Sequence, residues 1–370
     1  MRLRAASLTA LLTALPPLVG LSPAGANPAA APAAPALDLS LHSTPADALT
    51  AVLTRAERES GLRVVAFGEY HQTNATAKKG APVSSLRRFS GELFGVLAPR
   101  ASDIVLETWV TDGNCGSQET TAVAKVEKTT ERPQNTENEL VTLVKQAKSA
   151  GVQPHILRLS CDDYKSMLAA DGQVDFEKLL GLLTTLLHKK ITGIATARSA
   201  PAAKADGPAN KGDAAKAPTA APPAGPAPTP APSQPSSAPT AATPPAAVPP
   251  VAAATPPPAP AANPAPTAAA APAGNVAGDR LILVYGGGLH NDLLPRAELA
   301  AYTFGPKVRD EQSGRYLEVD LYVPEYIERD PGMTKEPWFQ LYKKRVRPGQ
   351  TVVIRRMQGS YIIVFPRRRG

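Results

Sequence analysis

The 370-residue chain contains only two cysteines, and neither lies near its N-terminus. That matters because the chain opens as an export signal does. A basic MRLR precedes the apolar AASLTALLTALPPLVGL and the small-residue SPAGA, so cleavage is expected after Ala26. With no cysteine at that point, a lipoprotein anchor is not expected. Long apolar runs are scarce as well. The signal's own run is broken by Pro16 and Pro17, and LLGLLTTLL at 179–187 is amphipathic and far short of the ~20 residues that span a bilayer. No transmembrane helix is therefore expected in the mature form, and the protein is expected to be exported, periplasmic or extracellular.

No recognition motif for nucleic acid accompanies the net charge of +8, and an exported chain does not meet nucleic acid as its target. The charge is also local. Ten Lys or Arg stand against one Glu between Lys335 and Arg369, which leaves everything before that segment close to neutral. A basic tail of this kind suits an anionic envelope surface of lipid or polysaccharide, or simply a solvated face.

What is present divides by composition. Residues 1–26 form the signal and 27–45 an Ala/Pro-rich linker. From 199 to 277 the chain is nearly all Ala, Pro, Thr, Ser and Gly, with 22 of the 40 prolines. Such a stretch buries too little apolar surface to offset its ordering entropy, so it is expected to be a disordered insertion. On either side, 46–198 and 278–332, strand and helix patterns alternate. LRVVAFGEY, SDIVLETWV, VQPHILRLS and RLILVYGGGLHND read as buried strands, and SSLRRFSGELFGVL, ENELVTLVKQAKSAG and DFEKLLGLLTTLLHKK as helices. The fold class that follows is α/β, a largely parallel sheet with helices on both faces. RYLEVDLYVPEYI reads as extended, and the basic segment 333–370 carries a hairpin, TVVIRRM and YIIVF about QGS, as a C-terminal β extension.

In an open parallel sheet, ligands collect beyond the carboxyl ends of the strands. Four of these strands end in chemistry: Gly68, Glu69, Tyr70 and His71; Glu107; Cys161, Asp162 and Asp163; and Gly286 to Asn291. Two histidines and two carboxylates on one edge suit a divalent metal with open positions, or a general base that activates water. His155, inside a strand, and His188, at a helix end, read as structural. Asp162 and Asp163 read as helix caps. Cys115 and Cys161 each follow a strand, and an even pair in an exported protein reads as a disulfide joining two loops of the same edge.

The repeated G-x-x-H, Gly68 to His71 and Gly287 to His290, with Glu107 ending an intervening strand, resembles the superfamily of ChaN-like haem-binding proteins, TIKI and TraB-type proteins and erythromycin esterases. GEYH is similar to its G-E-x-H form. The resemblance covers the α/β part, about 62–291, without the insertion. It implies functional roles, catalytic or metal-ligating, for Glu69, His71, Glu107 and His290. It also implies one of three chemistries: metal-dependent peptide hydrolysis, ester hydrolysis, or haem binding. For haem, Tyr70 and Tyr285 are the candidate axial ligands. The expected function is hydrolysis of an ester or amide in a small-molecule or peptide substrate. A haem carrier for iron uptake and an inactive envelope protein are the alternatives. Acidic groups at the site and an aromatic content of 5% favour hydrolysis over a haem pocket.

Overall fold

The computed structural model describes residues 37–70, 83–130, 135–199 and 280–368. The expected signal, most of the Ala/Pro-rich stretch and His71 lie outside the described residues. In chain order the elements are β1 (Asp38–His42), α1 (Pro45–Ser60), β2 (Val64–Glu69), α2 (Ser85–Arg88), a π-helical turn (Phe89–Leu93), α3 (Phe94–Leu97) and β3 (Ala101–Val110). Next come α4 (Gly116–Thr130), α5 (Asn135–Ser149), β4 (Gln153–Arg158), α6 (Cys161–Ser166), α7 (Phe176–Ser199) and β5 (Leu281–Gly287). The chain closes with α8 (Gly288–Asn291), α9 (Gly305–Glu311), β6 (Tyr316–Tyr322), α10 (Pro324–Ile327), α11 (Pro337–Arg345), β7 (Thr351–Met357) and β8 (Ser360–Val364).

The strands form one sheet in the order β1-β7-β8-β6-β2-β5-β3-β4. From β8 to β4 every neighbouring pair is parallel, and β7 and β1 add antiparallel partners at one side. The expected α/β class holds. β5 follows the Ala/Pro-rich stretch in sequence yet sits between β2 and β3, so the segments on both sides of that stretch build the same sheet. The C-terminal hairpin is part of this sheet too, because β8 pairs directly with β6.

Alternation within each strand sorts the core onto two faces. Val65, Phe67, Leu106, Leu283, Tyr285 and Val319 face α1, α5 and the α2–α3 segment. Val64, Ala66, Val105, Ile282 and Val284 face α4, α6, α7 and α9. Burial on both sides explains why the central strands read as continuous apolar runs. Over β7 and β8, the second face carries a separate cluster in which Trp338, Phe339 and Tyr342 of α11 cover Val352, Ile354, Ile362 and Val364.

One boundary is corrected. Asp38–His42 falls inside the stretch expected to be linker, but it forms an edge strand in register with 351–355 of β7. Its apolar content is only Leu39 and Leu41, both partly buried, so its pairing depends on a partner about three hundred residues away. Among the described residues no helix is long and apolar enough to cross a membrane.

Candidate functional site

Because β2, β3, β4 and β5 run parallel, their carboxyl ends lie along one sheet edge, and the residues expected there come to it from named positions. Glu107, 5 % exposed, lies in the carboxyl-terminal part of the buried run of β3, which continues through Trp109. Its Oε2 accepts a hydrogen bond from the Gly287 N–H at 2.6 Å, at the last residue of β5. The neighbouring Gly286 explains its own identity: a Cβ there would stand 2.3 Å from Glu107 Oε2, so only glycine leaves room for the carboxylate.

His290, 2 % exposed, rides on the single-turn α8 that follows β5. Its Nδ1 lies 2.8 Å from the Tyr302 carbonyl oxygen and 3.0 Å from the Thr184 hydroxyl. A carbonyl can only accept, so Nδ1 carries a proton and donates it to Tyr302. In the neutral ring this leaves the lone pair on Nε2, which faces Glu107 Oε1 at 3.7 Å. Two acceptors turned toward each other at that distance call for a positive or doubly donating group between them: a proton, a water or a cation.

The glycine of the first G-x-x-H has a related task. A Cβ on Gly68 would come within 2.4 Å of Asp320 Oδ1 and 2.7 Å of the Gly288 Cα. α8 therefore packs directly on the β2 backbone. Asn291 secures it, its amide NH2 donating to the Gly287 and Gly288 carbonyls at 3.3 and 2.7 Å while its oxygen accepts from the Gly68 N–H at 3.0 Å.

Glu69 reaches the same edge but leaves it on the other face, in alternation with Val65 and Phe67. It accepts a 2.5 Å hydrogen bond from the Tyr285 hydroxyl, and the Tyr285 ring packs 4.7 Å from that of Phe89. The Tyr70 hydroxyl donates to the Asp330 carboxylate, and burial together with that carboxylate raises its pKa. The expected set thus separates into Glu107 with His290 on one face and Glu69 with Tyr285 on the other. Among the described residues no three His, Cys, Asp or Glu side chains come together as a metal site.

Cys115, just before α4, is disulfide-bonded to Cys161, the first residue of α6. The bond ties the loop after β3 to the loop after β4. Ser160 caps α6, and Asp163 returns a bond to the Ser160 N–H at 2.7 Å, which accounts for that aspartate as a cap. His155 bonds Asp103 at 2.8 Å and His188 bonds Glu311 at 2.9 Å, both away from the edge residues described above.

Sequence reasoning did not single out a second polar group beside α8. Glu318 and Asp320 of β6 are buried, and Arg356 of β7 contacts Glu318 at 3.0 Å, Asp320 at 3.3 Å and Asp292 at 3.1 Å. The available signal was two acids at alternate positions of YLEVDLY, which place both on one face of a strand. That pattern is also the mark of a solvated face, and the strand alone does not distinguish the two.

No protein-family model matches the chain, and no curated protein or solved structure shows significant similarity to it.

Proposed function

We propose that the protein is an exported hydrolase of ester or amide bonds, acting on a small-molecule or peptide substrate, in which His290 and Glu107 activate water. One observation carries the reading: the Nδ1–H of His290 is held by the Tyr302 carbonyl, which turns Nε2 toward Glu107 Oε1 at 3.7 Å. An imidazole fixed in this way is a base of defined direction. Water at Nε2 gives up its proton to that nitrogen as its oxygen attacks the substrate carbonyl, Glu107 stabilises the imidazolium that forms, and the imidazolium returns the proton to the leaving alkoxide or amine as the acyl bond breaks. The Gly287 N–H holds the other carboxylate oxygen, so Glu107 keeps its orientation during the transfer.

The same two atoms fit a divalent cation, since bonds of about 2.0–2.2 Å from an imidazole nitrogen and a carboxylate oxygen span their separation. The hydrogen bond from Nδ1 to a backbone carbonyl is the usual outer support of a metal-bound histidine. Glu107 and His290 would hold such an ion, and it would supply Lewis acidity; Glu69, on the opposite face with Tyr285, stands apart from them. The haem alternative draws less support, because the hydroxyls of Tyr70 and Tyr285 are already given to Asp330 and Glu69. The exposed Lys343, Lys344, Arg345 and Arg347 suit contact with an anionic envelope surface.

The test is hydrolysis of a panel of esters and peptides by the purified mature protein, with and without added divalent metal, together with metal content and an absorption spectrum. Activity lost in Glu107→Gln and His290→Ala supports the proposal. A Soret band without hydrolysis, or activity unchanged in both variants, overturns it.

A further inference from the structure

Beneath α8, three carboxyl groups meet one guanidinium. Arg356 Nη1 lies 3.0 Å from Glu318 Oε1 and 3.3 Å from Asp320 Oδ2, and Nη2 lies 3.1 Å from Asp292 Oδ1. Glu318 is fully buried and Asp320 is 5 % exposed, and they stand two residues apart on the same face of β6. The other polar groups facing them add no cation. They are the phenols of Tyr316 and Tyr322 on β6 and the Ser360 hydroxyl on β8, while β2 presents only Ala66 and Gly68. Three ionised carboxylates would leave the cluster two charges negative in a medium that solvates charge poorly.

We propose that Glu318 and Asp320 hold one proton between them, and that its release as pH rises through neutrality loosens the junction between α8 and β6, making the His290 edge sensitive to pH. Burial, then the neighbouring acids, push both carboxyls up against the pull of Arg356, Glu318 to about 7 and Asp320 well above its ordinary value. The junction is wired to the pair directly. The Leu293 N–H donates to Glu318 Oε2 at 3.0 Å, the Tyr316 hydroxyl donates to the Asn291 carbonyl at 2.9 Å, and Arg356 holds Asp292, the residue that ends α8. With the proton in place, Arg356 balances Asp292 and a single charge on the pair. Once the proton leaves, two buried anions compete with Asp292 for one cation.

The sign follows from linkage. Both folded pKa values lie above the unfolded carboxylate values, so the native state binds the extra proton and its stability falls as pH rises from about 4 through about 7. One proton corresponds to about a tenfold change in the folded-to-unfolded ratio per pH unit in that window.

The experiment is infrared difference spectroscopy of the full mature protein between pH 5.5 and 8.5, with hydrogen exchange at the Leu293 amide. The wild type should show the carbonyl band of a protonated carboxylic acid that disappears with rising pH, and Leu293 protection should fall by about tenfold or more over the same range. Asp320→Asn and Glu318→Gln should each lose the band, since one remaining carboxylate pairs with Arg356, and each should flatten the pH dependence. The wild-type spectrum decides the matter even if a variant fails to fold. No acid band in the wild type, or an identical band in both variants, overturns the proposal. The outcome does not depend on whether the edge hydrolyses anything.

Discussion

Glu107 and Gly286 stand side by side on neighbouring strands, and the carboxylate of one occupies the place where the other would carry a side chain: 2.3 Å separates Glu107 Oε2 from a Cβ built on Gly286. The glycine run of β5 is thus a consequence of where the acid lies. Gly286→Ala should push the carboxylate away from the Gly287 N–H and from His290. A stability loss of about 1–3 kcal/mol in urea unfolding is expected, as for overpacking of a filled site, and hydrolysis should fall at least as far as in Glu107→Gln. Full activity in a folded Gly286→Ala protein would separate Glu107 from the reaction.

Glu107→Gln keeps the size of the side chain and an oxygen for the Gly287 N–H. Its amide NH2 then faces His290 Nε2 and donates to it, removing the lone pair as a base. Cooperative unfolding should be retained within about 1 kcal/mol, while turnover drops by about 10²-fold or more. Steady-state kinetics with the best substrate of the panel measures it.

Tyr285→Phe discriminates between the two faces of the edge. It removes the hydroxyl that donates to Glu69, a charge-assisted bond whose loss costs about 1.5–3 kcal/mol. If the chemistry sits at Glu107 and His290, kcat/KM changes by only a few fold. If Tyr285 is an axial ligand, haem titration of this variant loses or shifts the Soret band of the wild type.

The disulfide between Cys115 and Cys161 closes a loop with a sequence separation of 46. In the chain-entropy model a loop of that size contributes about 4 kcal/mol. Paired serine replacement, or unfolding under reducing conditions, should lower the urea midpoint accordingly. Equal midpoints with and without reductant would show that the loops after β3 and β4 need no cross-link.

Asp103 gives an acid-side prediction of the opposite sign to that of the Glu318 pair. Burial alone would raise its pKa, but His155 at 2.8 Å, Ser102 at 2.6 Å and Arg198 at 2.7 Å lower it to about 2. A depressed pKa contributes stability that is present above the unfolded value near 4 and is lost as pH falls through about 2. Asp103→Asn should therefore remove about 2 kcal/mol at pH 6 and flatten the pH 4 to 2 limb of a urea-midpoint titration. An unchanged limb would assign acid unfolding to other groups.

The sequence by itself determined the alternation of strands and helices, because strands buried on both faces must be apolar throughout and the helices that cover them must carry a stripe. It also placed the chemistry at strand ends, since those positions follow directly from where each apolar run stops. The glycines before the histidine were visible for the same reason: backbone cannot approach backbone past a side chain.

Tertiary structure decided the rest. Which face of the edge each carboxylate takes depends on strand order and register, and these sent Glu69 to Tyr285 and Glu107 to His290. β1 acquires its identity from β7 at the far end of the chain, and among its described residues the apolar side chains that α4 buries are the small Ala122, Val123 and Val126, too little to mark a stripe. The acids of β6 were ambiguous between solvent and core until Arg356 arrived from β7 across β8. Charges at alternate positions record a face, and only the strands and helices stacked against that face determine whether it is wet.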